Sequence, residues 1–197
     1  NYVLAYYNRG NAYYDKRDFD RAIRNYDQAV SLDSGYALAY YDRGVSHFQK
    51  REYDKALADL TLAIKLDPKD ALSYYNRGVT YAARGDADRA IADFDQSLRI
   101  DPKNALAFYN RGLALRSKGD EERAIADLSQ AVKFDPKNAL GYYNRGIAYR
   151  NRGDLDHALA DLDQSILIDP KNASAYFERG NARADKRDFD RAIADLN

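Results

Sequence analysis

Tyr74-Tyr75-Asn76-Arg77-Gly78 is the stretch that decides the fold, because these five positions return with little change throughout the 197-residue chain. Successive copies are 34 residues apart and each ends in a glycine. The glycines are Gly10, Gly44, Gly78, Gly112, Gly146 and Gly180. A fixed period of this length indicates a stack of repeated supersecondary units, each packed on its neighbours.

One period contains two helical patterns. The first covers residues 71–84 and ends at Gly85, which can take the left-handed conformation that closes helices. The second covers residues 87–100, begins after Asp86 as its N-cap and stops before Pro102. Each period therefore predicts a pair of antiparallel helices.

The helix pairs predict a single array over residues 1–197. Its repeats are 3–36, 37–70, 71–104, 105–138, 139–172 and a sixth, 173–197, that stops within its second helix. Because the chain does not begin with Met and stops inside a helical pattern, we expect it to be a piece of a longer array. In three repeats an arginine replaces the turn glycine, so those turns must close without an easy left-handed residue. These arginines are Arg17, Arg51 and Arg187.

The repeated glycine predicts a close contact between the two helices of a pair. At about 100° per residue, Gly78 and Tyr81 share one face of the first helix, while Leu72 and Tyr75 lie nearly opposite. A glycine inside a helix costs about 1 kcal/mol relative to alanine. Its recurrence is explained if it lets the second helix approach at Ala90.

The complete pattern resembles the tetratricopeptide repeat (TPR). Its signature is an aromatic residue four positions before the glycine, another three after it, alanine twelve after it, an aromatic or leucine sixteen after it, and proline twenty-four after it. The resemblance covers essentially the whole chain and implies an all-α, right-handed superhelix (α-solenoid) of antiparallel helix-turn-helix repeats of 34 residues. Three positions depart from the family pattern: Tyr or Phe108 replaces the usual tryptophan, and arginine replaces the usual leucine before the glycine. At the second aromatic position the departures are His47, Leu115 and Arg183.

That arginine has a possible partner in the same repeat. Asp93 lies sixteen residues after Arg77, and most repeats have the same pair of residue types. We expect an ion pair between the two helices, weakened in the first repeat by Asn25. The alternative is that both residues are solvated surface charges, which contribute little.

Composition argues against several classes of function. Thirty-one basic and thirty-one acidic residues cancel, so no one-signed field favours nucleic acid. No apolar run is long enough for membrane insertion, and without cysteine there is no thiol chemistry. His47 replaces a packing aromatic and is expected in the core, whereas His157 is expected at the surface. We therefore expect no catalytic, cofactor or metal site, and no enzyme activity unless the array targets a separate catalytic domain.

The resemblance implies that the first helices line the concave face, and an exposed apolar, tyrosine-rich stripe there is typical of an interaction site. A row of side-chain amides can also bind the N–H and C=O groups of an extended peptide. The alternatives are that the leucines on this face only pack adjacent repeats together, and that asparagine is simply common at its position. The predicted binding residues are Tyr7, Asn8, Tyr41, Asp42, Tyr75, Asn76, Tyr109, Asn110, Tyr143, Asn144 and Phe177.

The preferred function is therefore a non-catalytic scaffold that binds a protein or peptide partner in this groove. One alternative is end-to-end self-assembly through open terminal repeats, where Ile193 and Leu196 form an apolar face. Another is a carbohydrate-handling scaffold, because tyrosine-lined grooves also suit sugars. The uniformity of the repeats favours a bacterial source, which would place a soluble protein in the cytoplasm or the periplasm.

Overall fold

The computed structural model describes residues 2–197, and this part of the chain contains twelve α-helices and no strand. The helices are α1 (Tyr2–Asp15), α2 (Phe19–Leu32), α3 (Ala37–Gln49), α4 (Tyr53–Leu66), α5 (Ala71–Ala83), α6 (Ala87–Ile100), α7 (Ala105–Ser117), α8 (Glu121–Phe134), α9 (Ala139–Asn151), α10 (Leu155–Ile168), α11 (Ala173–Asp185) and α12 (Phe189–Leu196). The predicted all-α class is confirmed.

The helices belong to two compact units, Asn1–Pro102 and Lys103–Asn197. In the first unit, α1 packs on α2, α3 on α4 and α5 on α6, and the second helix of each pair packs on the first helix of the next. The second unit has the same arrangement in α7 to α12. Each unit is thus a solenoid of three helix pairs, as the repeat pattern predicts.

Helix ends follow the local chemistry of the sequence. The Asp70 carboxylate accepts hydrogen bonds from the backbone N–H groups of Leu72 (3.1 Å) and Ser73 (3.0 Å) and so caps α5. Asp86 caps α6 by accepting from the N–H of Arg89 at 3.1 Å. Since α5 ends at Ala83 and α6 ends at Ile100, both predicted ranges are confirmed to within one residue.

The turn between paired helices requires a left-handed residue. Gly85 has φ +79°, and Arg51 takes the same region with φ 60°. Arg17 and Arg187 do likewise, with φ 59° and 64°. The three arginine turns therefore close as the glycine turns do, with the steric cost that a Cβ brings in this region.

Arg51→Gly is expected to raise the free energy of unfolding by about 0.5–1 kcal/mol, because glycine removes that steric cost. Arg51→Ala should change stability little, since it keeps the Cβ and loses only an exposed side chain. Gly85→Ala should cost about 1 kcal/mol, although its Cβ would meet nothing within 4 Å. Urea unfolding followed by circular dichroism measures all three. Equal stabilities for Arg51→Gly and Arg51→Ala would contradict the backbone explanation.

The repeated glycine of the first helix allows the predicted close contact. A Cβ added to Gly78 would lie 2.8 Å from Cε1 of Phe94 and 3.2 Å from the carbonyl oxygen of Ala90. Phe94 and Ala90 are fully buried, so neither can move aside into solvent. The interpretation that this glycine is kept for helix contact is confirmed.

The predicted arginine–aspartate pair is present and has two bonds. Arg77 Nε donates to Asp93 Oδ2 and Nη2 donates to Oδ1, both at 2.7 Å. The side chains are only 18% and 7% exposed, so the alternative of solvated surface charges is wrong. In the first repeat Arg9 Nε makes a single bond of 2.5 Å to Asn25 Oδ1. The other two-bonded pairs are Arg43–Asp59, Arg111–Asp127, Arg145–Asp161 and Arg179–Asp195.

A third donor of these arginines reaches the preceding repeat, which the sequence reasoning did not predict. Within the first unit, Arg43 Nη1 donates to Asp27 at 2.7 Å and Arg77 Nη1 donates to Thr61 at 3.1 Å. Within the second, Arg145 and Arg179 bond in the same way to Ser129 at 3.0 Å and to Asp163 at 2.7 Å. Each of these arginines therefore joins three helices.

Candidate peptide-binding surface

One face of the first helices remains open in each unit, and we call it the first-helix stripe. In the first unit it consists of Leu4, Tyr7, Asn8, Leu38, Tyr41, Asp42, Leu72, Tyr75 and Asn76. In the second unit it consists of Leu106, Tyr109, Asn110, Leu113, Arg116, Leu140, Tyr143, Asn144, Ile147, Arg150, Phe177 and Glu178. The predicted binding residues are thus distributed over two stripes of three first helices each.

The leucines of the stripe are not buried by packing between repeats. Leu38, Leu72, Leu106 and Leu140 are 51%, 50%, 53% and 51% exposed, and Phe177 is 54% exposed. The tyrosines beside them are half-buried. Each stripe therefore presents apolar side chains next to tyrosine rings.

Asparagine side chains hold the tyrosine hydroxyls of the preceding repeat. In the first unit, Asn76 Nδ2 donates to the Tyr41 hydroxyl at 2.9 Å and to the Leu72 carbonyl at 3.0 Å. In the second, Asn144 Nδ2 donates to the Tyr109 hydroxyl at 3.1 Å and to the Leu140 carbonyl at 2.8 Å. Because a side-chain amide has two donors, the protein itself occupies the amide donors of both asparagines.

The direction of these bonds decides what the tyrosines can offer to a ligand. Since the Tyr41 hydroxyl accepts from Asn76, its own proton remains available. Burial raises the pKa of Tyr41 to about 12, so the hydroxyl keeps that proton at neutral pH. Tyr41 is therefore a hydrogen-bond donor on the stripe.

Asp42 reverses this arrangement, because it stands where Asn76 and Asn144 stand in their repeats. The Tyr7 hydroxyl donates to Asp42 Oδ2 at 2.7 Å. Burial raises the pKa of Asp42, and the bond from Tyr7 opposes this effect. The Tyr7 hydroxyl therefore donates its hydrogen bond within the protein, and the Asp42 carboxylate adds a hydrogen-bond acceptor to the stripe.

The remaining predicted residues occupy the same faces. Asn8 is exposed, and Asn110 Nδ2 donates to the Leu106 carbonyl at 2.9 Å. The Tyr75 ring centroid lies 6.0 Å from that of Phe94. Their role in binding stays a prediction.

Two arginines on the stripe of the second unit escaped the sequence reasoning. Arg116 Nη1 donates to Asn144 Oδ1 at 2.7 Å. Arg150 Nε donates to Asp185 at 2.7 Å, and its Nη1 donates to Glu178 at 3.2 Å. A comparison of the position four residues after each glycine could have found them, because apolar residues stand there in the other four repeats. Those residues are Tyr14, Phe48, Ala82 and Ala184.

The two histidines lie where the sequence predicts. His47 is buried, with Nδ1 2.7 Å from Glu52 Oε2, whereas His157 is exposed beside Asp154. Within residues 2–197, no group of three or more His, Cys, Asp or Glu side chains could hold a metal ion.

None of the helices described in residues 2–197 is long and apolar enough to cross a membrane.

Comparison with known families agrees with the repeat geometry. Models described as tetratricopeptide repeat or TPR repeat match residues 7–71, 45–107, 94–126, 112–151 and 139–172. The chain belongs to the tetratricopeptide repeat (TPR) family. TPR proteins typically act as non-catalytic scaffolds that bind protein partners.

Solved TPR structures resemble this chain closely in fold. YrrB, described as a TPR protein with an unusual peptide-binding site, is 25% identical over 88% of this chain and 89% of its own, with a TM-score of 0.76. MamA from Desulfovibrio magneticus RS-1 is 24% identical over 81% and 90%, with a TM-score of 0.78. PilW, a type IV pilus biogenesis factor, is 18% identical over 98% and 90%, with a TM-score of 0.85. Among curated proteins, none matches significantly.

Proposed function

We propose that this TPR protein is a non-catalytic scaffold that holds an extended segment of a protein partner on the first-helix stripe. The observation that carries the proposal is the row of half-exposed leucines beside tyrosine hydroxyls that retain their protons. Contiguous exposed apolar surface of this kind is typical of interaction sites. The resemblance to YrrB, whose description includes a peptide-binding site, supports a peptide as the ligand.

The stripe offers complementary groups for the side chains and for the backbone of a peptide. Leu38 and Leu72 can contact apolar side chains, which supply most of the binding free energy. The Tyr41 hydroxyl can donate to a backbone carbonyl. Asn76 Oδ1, which accepts no hydrogen bond from the described residues, can accept from a backbone N–H. In this scheme a tyrosine hydroxyl takes the place of the asparagine amide groups as the donor to the peptide backbone.

A capture experiment tests this surface. The wild-type chain and a stripe variant, Leu38→Ser with Leu72→Ser, Leu106→Ser and Leu140→Ser, are used to pull down proteins from a lysate of the source organism. A matched control carries Leu62→Ser with Leu167→Ser, because these exposed leucines lie on the second helices α4 and α10. Circular dichroism establishes that all three are folded.

Proteins lost with the stripe variant and retained with the control are the expected result. Since four half-exposed leucines contribute several kcal/mol together, the loss should exceed tenfold. Retention of the same proteins by the stripe variant would reject the stripe as the binding surface.

A further inference from the structure

The stripe of the second unit contains one arginine that is neutralised and one that is not. Arg150 pairs with both Asp185 and Glu178. Arg116 makes no ion pair with any residue in the described range, and its bonds go to the side-chain and backbone oxygens of Asn144 at 2.7 and 3.3 Å. Arg116 therefore has no carboxylate partner of its own among the described residues, whereas Arg150 faces two.

The free edge of this guanidinium has the geometry of a carboxylate receptor. Both bonds to Asn144 come from Nη1, and Nε and Nη2 donate to no described residue. These nitrogens belong to a planar fork that can bind the two oxygens of a carboxylate side by side.

The Tyr109 hydroxyl provides a second donor that is tied to the first. Asn144 joins the two groups, because its Oδ1 accepts from Arg116 while its Nδ2 donates to Tyr109 at 3.1 Å. Asn144 is only 7% exposed, so its orientation is fixed by its surroundings. Burial raises the pKa of Tyr109, and the nearby Arg116 charge opposes this effect. The hydroxyl is protonated at neutral pH, and it donates to no described residue.

We propose that Arg116 and Tyr109 form a subsite that selects an acidic side chain within the partner segment. This inference rests on the proposed function and adds a sequence preference to it. Leu113 and Ile147 lie one helical turn from Arg116 and Asn144, respectively, on the same stripe and are half-buried. A ligand residue at this point therefore has apolar surface beside it, which fits a Glu or Asp flanked by apolar residues within a continuing peptide.

No other described repeat can form the same subsite. In the first unit Tyr14, Phe48 and Ala82 stand at the position of Arg116. In the second unit this position holds Ala184 and Arg150, and Arg150 is already paired with two carboxylates. Charge selection is therefore a property of the second unit.

Matched peptides test the subsite. The probes are acetylated, amidated peptides with leucines around a central Glu or, in the control, Gln, and the affinity is measured by NMR titration of the whole chain. The wild type should bind the Glu peptide about tenfold more tightly, as one charge-assisted hydrogen-bonded contact provides. Arg116→Gln should reduce the ratio to about one. Arg123→Gln, which removes an exposed charge on α8, should leave the ratio unchanged.

Each alternative outcome would overturn the inference in its own way. Equal binding of both peptides to the wild type would reject acidic selection and leave the scaffold function intact. A preference that survives in Arg116→Gln would place the selecting charge elsewhere. If only a Gln peptide with a free carboxyl terminus bound more tightly, the group bound by the subsite would be a terminal carboxylate and not an acidic side chain. Absence of binding to both peptides would reject the subsite, and the capture experiment judges the scaffold function separately.

Discussion

Arg77→Ala is expected to lower the free energy of unfolding by about 2–4 kcal/mol, because it leaves the Asp93 carboxylate buried without a cation. Two hydrogen bonds of 2.7 Å to Asp93 and one of 3.1 Å to Thr61 are lost together with the charge of the arginine. Asp93→Asn should cost less, about 1–2 kcal/mol, because Arg9 and Asn25 show that a single bond to an amide is compatible with this packing. Urea unfolding curves measure both variants.

Two controls separate a buried pair from ordinary surface charge. Arg89→Ala removes an arginine that is 65% exposed and pairs with Asp86, so its effect should be small. Replacing Arg77 and Asp93 together by leucine should recover most of the lost stability, since no unpaired charge is then left behind. If Arg77→Ala cost no more than Arg89→Ala, the pair would have to be counted as surface charge.

Phe94→Ala should produce the largest loss of stability, about 3–5 kcal/mol, because it empties a buried site between the helices of its repeat. Phe94 has no exposed surface, and its ring covers Gly78 and lies beside Tyr75. Neither neighbour can fill the cavity, since glycine has no side chain and the Tyr75 ring belongs to the stripe. Thermal and urea unfolding both report the loss.

Phe94→Leu is the matched control and should cost less than about 1.5 kcal/mol. The protein already places a fully buried leucine at this position in three other repeats. These leucines are Leu60, Leu128 and Leu162. A similar loss for the leucine and alanine variants would mean that ring-specific contacts, and not the filled volume, stabilise this repeat.

The helices of each repeat could be predicted because their ends depend on local chemistry. Gly85 ends the first helix by its positive φ, and Asp86 begins the second by capping it. The Arg77–Asp93 pair was also accessible, since a regular helix pair fixes which residues sixteen apart face each other. Repetition of each signal removed the ambiguity that a single copy would have had.

Contacts between repeats could not be predicted in the same way. The bond from Asn76 to Tyr41 joins residues 35 apart, and its existence depends on how far one helix pair is shifted along the next. The 34-residue period shows that the repeats are equivalent, but it does not determine how far one helix pair is shifted along the next. For the same reason, the row of asparagines predicted amides facing the ligand, whereas the amide donors of Asn76 and Asn144 are used by tyrosines and backbone carbonyls.

The bonds from arginine Nη1 to the preceding repeat bear on how such a chain can change in length. A repeat in this arrangement carries a donor on its first helix and an acceptor on its second, as the Arg43–Asp27 and Arg77–Thr61 bonds illustrate. The acceptor can be a carboxylate or a hydroxyl, so this contact between repeats does not require one residue type. Duplication or deletion of a whole 34-residue repeat would therefore leave each remaining donor opposite an acceptor, whereas an insertion of a few residues inside one of these helices would shift the donor away from its acceptor.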